Sequence, residues 1–231
     1  MGGFMLTYNP PLTKIDKEEA RRYAGLKGAA AFPEQHLDTA CAEALLLARP
    51  RAAWNIYPYE SATGTIAAPA PLRLAGDKIR SHLAGAGEAA VLAVTIGPAL
   101  EEEVSRLFTA GEYTAGLLLD AAGTAAVEQA ADAADAFIAD QAARRGLKAK
   151  SRFSPGYGDW DITDQPIMVA LADGGQIALT VTPSCMLVPR KSVTAVIGLA
   201  PTGEKNRRAC AGRGCAGCPQ TDCIARRELS Q

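Results

Sequence analysis

The chain has 231 residues, 48% of them hydrophobic, with 24 basic side chains against 25 acidic ones and a formal charge of −1. That balance gives no electrostatic footing for nucleic acid, and the hydrophobic share excludes general disorder. No apolar run approaches the roughly 18 residues of a membrane span, and the N-terminus lacks the basic and apolar regions of a signal peptide, so a cytoplasmic location is expected.

Residues 5–8 are read as a short strand. Asp16 is placed to cap a helix through Tyr23, with Glu19 at the capping-box position. Residues 34–49 carry Leu37, Cys41, Ala44, Leu45 and Ala48 at helical spacing, and Pro50 stops the helix. Residues 51–60 have strand character interrupted by Pro58, which predicts an edge strand. Pro69 and Pro71 mark a loop, and residues 76–83 a short helix. The continuous apolar run in 88–96 predicts a buried strand. Gly97-Pro98 opens a helix with Pro98 at its first position and Glu101, Glu102 and Glu103 in its first turns.

The longest helical pattern is 112–145, rich in alanine and closed by Gly146. Asp120, Thr124, Glu128, Asp132 and Asp135 share one of its faces. That stripe reads either as a solvated acidic face or as a source of one carboxylate for a ligand ammonium.

Arg152-Phe153-Ser154-Pro155-Gly156-Tyr157-Gly158 follows. A guanidinium beside a tight Pro-Gly turn and an aromatic ring suits a carboxylate or zwitterion, because Arg forms two parallel hydrogen bonds and glycine admits close approach. The plainer reading is a common turn with a surface arginine. Asp161 or Asp164 then caps a helix through Leu171, Asp173-Gly174-Gly175 turns, and 176–181 and 192–199 are read as strands. Helices mixed with non-adjacent strands, without βαβ alternation, predict an α+β fold with a mixed or antiparallel sheet.

Cys210, Cys215, Cys218 and Cys223 give C-x4-C-x2-C-x4-C within 14 residues. Thiolates at this density enclose zinc or an iron–sulfur cluster, and the spacing does not choose between them. Nearby arginines favour the thiolate form. The expected organisation is one domain over 1–205 followed by a cysteine-rich tail over 206–231. Cys41 falls on an apolar helix face, Cys185 is left between core and ligand surroundings, and His36 and His82 receive no role.

The ordered set Arg152, Pro155, Gly156, Tyr157, Leu179, Thr180, Ser184, Met186, Pro189, Ser192 and Val193 resembles the activation domain of cobalamin-dependent methionine synthase. That family carries R-x-x-x-G-Y, an "LT-S" strand, a Met-Pro turn and an "S-V-S-G" strand. The resemblance implies S-adenosylmethionine as ligand. Arg152 would hold its carboxylate, Pro155, Gly156 and Tyr157 would form the binding turn, and Glu128 or Asp132 would meet the ammonium. It also implies a stand-alone reactivation subunit for a separate methionine synthase, which brings the cobalamin, with a reductant such as flavodoxin. The aromatic-rich continuation of the family after its last strand is absent, and the cysteine tail departs from the family pattern. Two other readings stand beside this one: an iron–sulfur corrinoid-reducing or electron-transfer protein, and a non-catalytic, zinc-stapled interaction module.

Overall fold

The computed structural model describes residues 6–202, apart from 27, 30 and 31. Cys210, Cys215, Cys218 and Cys223 therefore lie outside the described residues. In chain order the elements are β1 (Leu6–Tyr8), α1 (Lys17–Tyr23), α2 (Glu34–Leu47), β2 (Arg51–Glu60), β3 (Thr65–Ile66), β4 (Leu72–Arg73), α3 (Asp77–His82), β5 (Glu88–Thr95), α4 (Ala99–Thr109) and α5 (Tyr113–Arg144). Then come β6 (Leu147–Ala149), α6 (Gln165–Leu171), β7 (Thr180–Val181), β8 (Leu187–Val188) and β9 (Ser192–Pro201). The class is α+β: an antiparallel sheet in the order β4-β3-β2-β5-β9-β6, with β1 also on β2 and a separate β7–β8 ribbon.

The sheet separates two cores. The alternation of a strand sends Ala90, Leu92 and Val94 of β5 towards α1, α2, α4 and α5, and Ala89, Val91 and Ala93 towards α3 and α6. Burial on both faces explains the unbroken apolar run of β5. Alanine lets α5 lie close to its neighbours: a side-chain carbon added at Gly123 would stand 2.5 Å from Leu100 Cδ2.

Several expected elements form as read. Asp16 accepts from the Glu19 amide at the start of α1, and α5 ends two residues before Gly146. Pro98 occupies the position before α4 rather than its first turn.

Two expectations are corrected. The segment 51–60 is an interior strand, not an edge: β2 pairs with β5 along most of its length, and with β1 and β3 on its other side. Pro58 survives there because its missing N–H points away from β5. The Tyr59 amide donates to Gly87, while the Pro58 carbonyl accepts from Ala67 in the space between β1 and β3. The segment 176–181 is largely not a strand. Gly174–Ile177 is a 3-10 turn, and only Thr180 and Val181 pair, with β8 and not with the main sheet. Ile177 and Leu179 instead bury in the α6-side core, against the face of the main sheet rather than in its ladder.

Candidate functional site

Arg152 is placed by backbone bonds on either side of it. The Lys150 amide donates to Gly198 at 2.8 Å, and Phe153 and Val196 exchange amide bonds at 3.0 and 2.8 Å. Phe153 packs into the α6-side core. Alternation along this extended segment turns Arg152 to the opposite face, towards α5.

A second anchor fastens the same segment to α3. His82 Nε2 lies 2.6 Å from the Ser151 carbonyl. Lys150 Nζ donates to the carbonyls of His82 and Ala84 at 3.0 and 2.6 Å, satisfying acceptors left over at the end of α3. Burial lowers the His82 pKa, the hydrogen bond to Ser151 opposes it, and the net direction is down. Sequence reading assigned His82 no role. Its partner is 69 residues away, and no local spacing announces it.

Arg152 Nη2 donates to Glu128 at 2.6 Å, and Nη1 donates to Asp132. The two carboxylates stand one turn apart on α5, so one planar fork meets both. The structure thus brings Arg152 together with both acidic candidates. Burial works against the Arg152 charge, but Asp132 and Glu128 outweigh it and raise its pKa. Two of its five N–H groups are used in these bonds, which leaves donors for a ligand. Asp135, one turn on, is half-buried. Desolvation raises its pKa, with Arg152 pulling the other way.

The turn after Arg152 is closed internally. The Gly156 amide donates to Trp160 at 2.8 Å, and the Trp160 amide to Tyr157 at 3.0 Å. Gly156 has φ +87°, a conformation L side chains rarely adopt. Pro155 is buried beneath the turn, while Tyr157 is 64% exposed and presents its ring to solvent. The Asp159 carboxylate receives the Lys78 amide of α3 at 3.1 Å, and Trp160 Nε1 donates to Asp164 at 2.6 Å. These bonds hold the turn from two sides.

A cavity of about 170 Å³ lies between the start of α1 and this face of α5, lined by Asp16, Glu19, Ala125, Glu128, Gln129 and Asp132. Gln129 fixes the α1 side: its Oε1 accepts the Asp16 amide at 2.8 Å, and its Nε2 donates to the Lys14 carbonyl at 3.2 Å. The volume suits the charged end of an amino-acid ligand rather than a whole nucleoside. Sequence reading did not connect Asp16 or Glu19 with Glu128. They meet only because α1 packs along α5.

Asp120 and Thr124, earlier on the stripe, are engaged as well. Lys191, just before β9, bonds Asp120 at 2.9 Å and Thr124 at 2.8 Å. Asp120, Glu128 and Asp132 each meet a cation, although the Asp120 and Asp132 side chains remain 38% and 59% exposed. Of the other motif residues, Met186 is exposed on the β7–β8 ribbon, Thr182 and Ser184 bond each other, and Ser192 bonds Thr95 and the Pro189 carbonyl. Among the described residues, no hydrogen bond or ion pair joins the ribbon to Arg152. Cys41 is half-buried against the α5-side core, as its helical spacing predicts.

Among the described residues, no group of three or more His, Cys, Asp or Glu side chains is arranged to hold a metal ion, and no helix is long and apolar enough to cross a membrane. No protein-family model and no curated protein sequence matches the chain. A solved structure does: the crystal structure of the MetH reactivation domain bound to AdoHcy. It is 14% identical, with a TM-score of 0.57, over 87% of this chain and 79% of that one. The likeness is one of fold: an antiparallel sheet packed with helices, as in the MetH reactivation domain.

Proposed function

We propose that this chain binds S-adenosylmethionine and presents it to the corrinoid of a separate cobalamin-dependent methionine synthase, as its reactivation subunit. The observation that carries the reading is Arg152 shared by Glu128 and Asp132 beside the Pro155-Gly156-Tyr157 turn. The chain's fold, that of a domain solved with AdoHcy bound, supports it.

The residues present fit the ligand's charged end. A zwitterionic amino acid carries the complement of this triad. Its carboxylate takes the N–H groups of Arg152, and its ammonium takes Glu128 or Asp132. The ligand carboxylate would take donors of Arg152, and the ligand ammonium would compensate the carboxylate so released. Tyr157, with its ring exposed, is available to cover the bound ligand. When bound, the ligand supplies the methyl group, and the protein contributes positioning. The two anchors from His82 and β9 keep Arg152 in place for this task.

We further propose that Cys210, Cys215, Cys218 and Cys223 bind zinc or an iron–sulfur cluster, an assignment that rests on their spacing.

Titration calorimetry with S-adenosylmethionine tests binding. Reactivation is tested by the cobalamin absorption spectrum of a methionine synthase lacking its own activation domain. With this chain, S-adenosylmethionine and a reductant such as flavodoxin, the cob(II)alamin bands should give way to methylcobalamin. Persistence of cob(II)alamin with a docked partner would overturn the reactivation role.

A further inference from the structure

One side of β2 is open in its middle. β1 pairs there with Ala52, Ala53 and Trp54, and β3 with Tyr59 and Glu60, while the Ala67 amide takes the Pro58 carbonyl at 2.9 Å. Among the described residues, no strand pairs with Asn55, Ile56 or Tyr57 on that side. Alternate residues of a strand turn their backbone groups the same way, so Ile56 shares the direction of Pro58 and aims its N–H and C=O into the opening. Beside the opening, on the α5 face of the sheet, lies a cavity of about 260 Å³ lined by Ile56, Tyr57, Pro58, Glu88 and Arg145. Ile56 is half-buried against the α5-side core, and the Arg145–Glu88 ion pair at 2.6 Å forms a polar rim.

We propose that residues 3–5, which precede β1 and lie outside the described residues, fill this opening as a continuation of β1, with Phe4 seated in the cavity. The register carries the assignment. Tyr8 lies opposite Ala52, Thr7 opposite Ala53 and Leu6 opposite Trp54, so the next three positions fall opposite Asn55, Ile56 and Tyr57. Phe4 thereby meets Ile56, and Ala67 closes the far end of the opening. Strand alternation gives Phe4 the same face as Tyr8, whose ring stacks on Phe137 of α5 at 4.4 Å. Two distances agree with this placement. β2 advances about 13 Å from Ala52 to Ile56, and the α5 rise from Phe137 to Arg145 is about 12 Å. The step from Tyr8 to Phe4 therefore matches the step from Phe137 to Arg145, which lines the cavity. Residues 1–5 carry no charged side chain, which suits burial against Ile56 and Pro58. A slip of one residue would turn Phe4 to the opposite face, so the proposal is specific to this register.

The test is nuclear magnetic resonance on the full chain, with labelled phenylalanine rings and isoleucine methyl groups. In wild type, Overhauser contacts should join the Phe4 ring to the Ile56 methyls. The Ile56 amide should exchange as slowly as those of Asn55 and Tyr57, which face β5. Phe4→Ala should speed Ile56 exchange by about tenfold or more and lower the melting temperature by about 4–8 °C. Phe4→Leu should retain most of the protection, and Met5→Ala, on the other face, should leave Ile56 exchange slow. Fast Ile56 exchange in wild type, or no contact between Phe4 and Ile56, overturns the proposal. A slowly exchanging Ile56 amide that Phe4→Ala leaves unchanged also overturns it and gives the opening to another occupant. Protection that rises with protein concentration would identify that occupant as a second copy of the chain.

Discussion

Lys191 reaches Asp120 at 2.9 Å from the segment entering β9, although 71 positions separate them in the chain. The same ammonium takes the Thr124 hydroxyl at 2.8 Å. The cluster stands about 12 Å along α5 from Glu128, the rise of eight helical residues. Its members differ in burial: the Lys191 side chain is 12% exposed and that of Asp120 38%. Removing the acid strands a largely buried ammonium, whereas removing the lysine leaves a carboxylate that water can reach. Asp120→Asn should therefore destabilise the fold more than Lys191→Met. Urea unfolding should show the first costing about 1–3 kcal/mol, with a double variant less harmful than the sum. Equal costs would show that burial does not govern this pair.

Arg152→Ala should lower S-adenosylmethionine affinity by about 1.5–3 kcal/mol, the scale of hydrogen bonds to charged groups. Arg152→Lys should recover part of that, because a single ammonium lacks the fork that meets Glu128 and Asp132 together. The measurement is calorimetry on variants whose circular dichroism matches wild type. Unchanged affinity in Arg152→Ala would remove Arg152 from the site.

His82 ties the backbone next to Arg152 to α3 and is held with its pKa below the ordinary histidine value by burial. The unfolded chain therefore takes up its proton first as the solution is acidified. The stability His82 contributes is present above the unfolded pKa, near 6.5, and is lost as the pH falls through the lower folded value. His82→Phe removes that titration. Between pH 7.5 and 5, the melting temperature of wild type should fall more than that of the variant. Parallel falls would show that His82 does not titrate in this window.

Gly123 sits where α5 meets α4. A methyl group there would press to within 2.5 Å of Leu100 Cδ2, a side chain with no exposed surface. The gain in helix propensity from Gly123→Ala, about 1 kcal/mol, is then outweighed by overpacking of about 1–3 kcal/mol. Thermal unfolding should show a lower midpoint than wild type. A higher one would mean that Leu100 can move aside.

Full-length protein purified anaerobically without chelators should carry stoichiometric zinc or iron if Cys210, Cys215, Cys218 and Cys223 form a metal site. Replacing any two of them with serine should release it. Elemental analysis decides the point, and visible absorption separates iron–sulfur from zinc. Absence of both metals would end the proposal.

The elements legible in the sequence are those whose signals are local. Asp16 caps α1 because the acceptor and the Glu19 amide are three residues apart. The helical spacing of α2, the unbroken apolar run of β5 and the long alanine pattern of α5 each repeat within one element, so a single strand or helix suffices to read them. The stripe from Asp120 to Asp135 was visible for the same reason, as was Arg152 beside its Pro-Gly turn. What covers that stripe was not visible. The partners of its carboxylates come from the segment before β9 and the segment after β6, and a charge on a helix face looks the same in sequence whether water or an arginine meets it. The status of β2 turned on the same distinction. Pro58 marks an edge only if its missing N–H would face a neighbouring strand, and the sheet order, not the residue, sets that direction. Asp16 joined the cavity because α1 lies along α5 and Gln129 clamps it there. Local chemistry determined which side chains could act. Tertiary packing decided which of them face one another, since that depends on contacts between segments far apart in the chain.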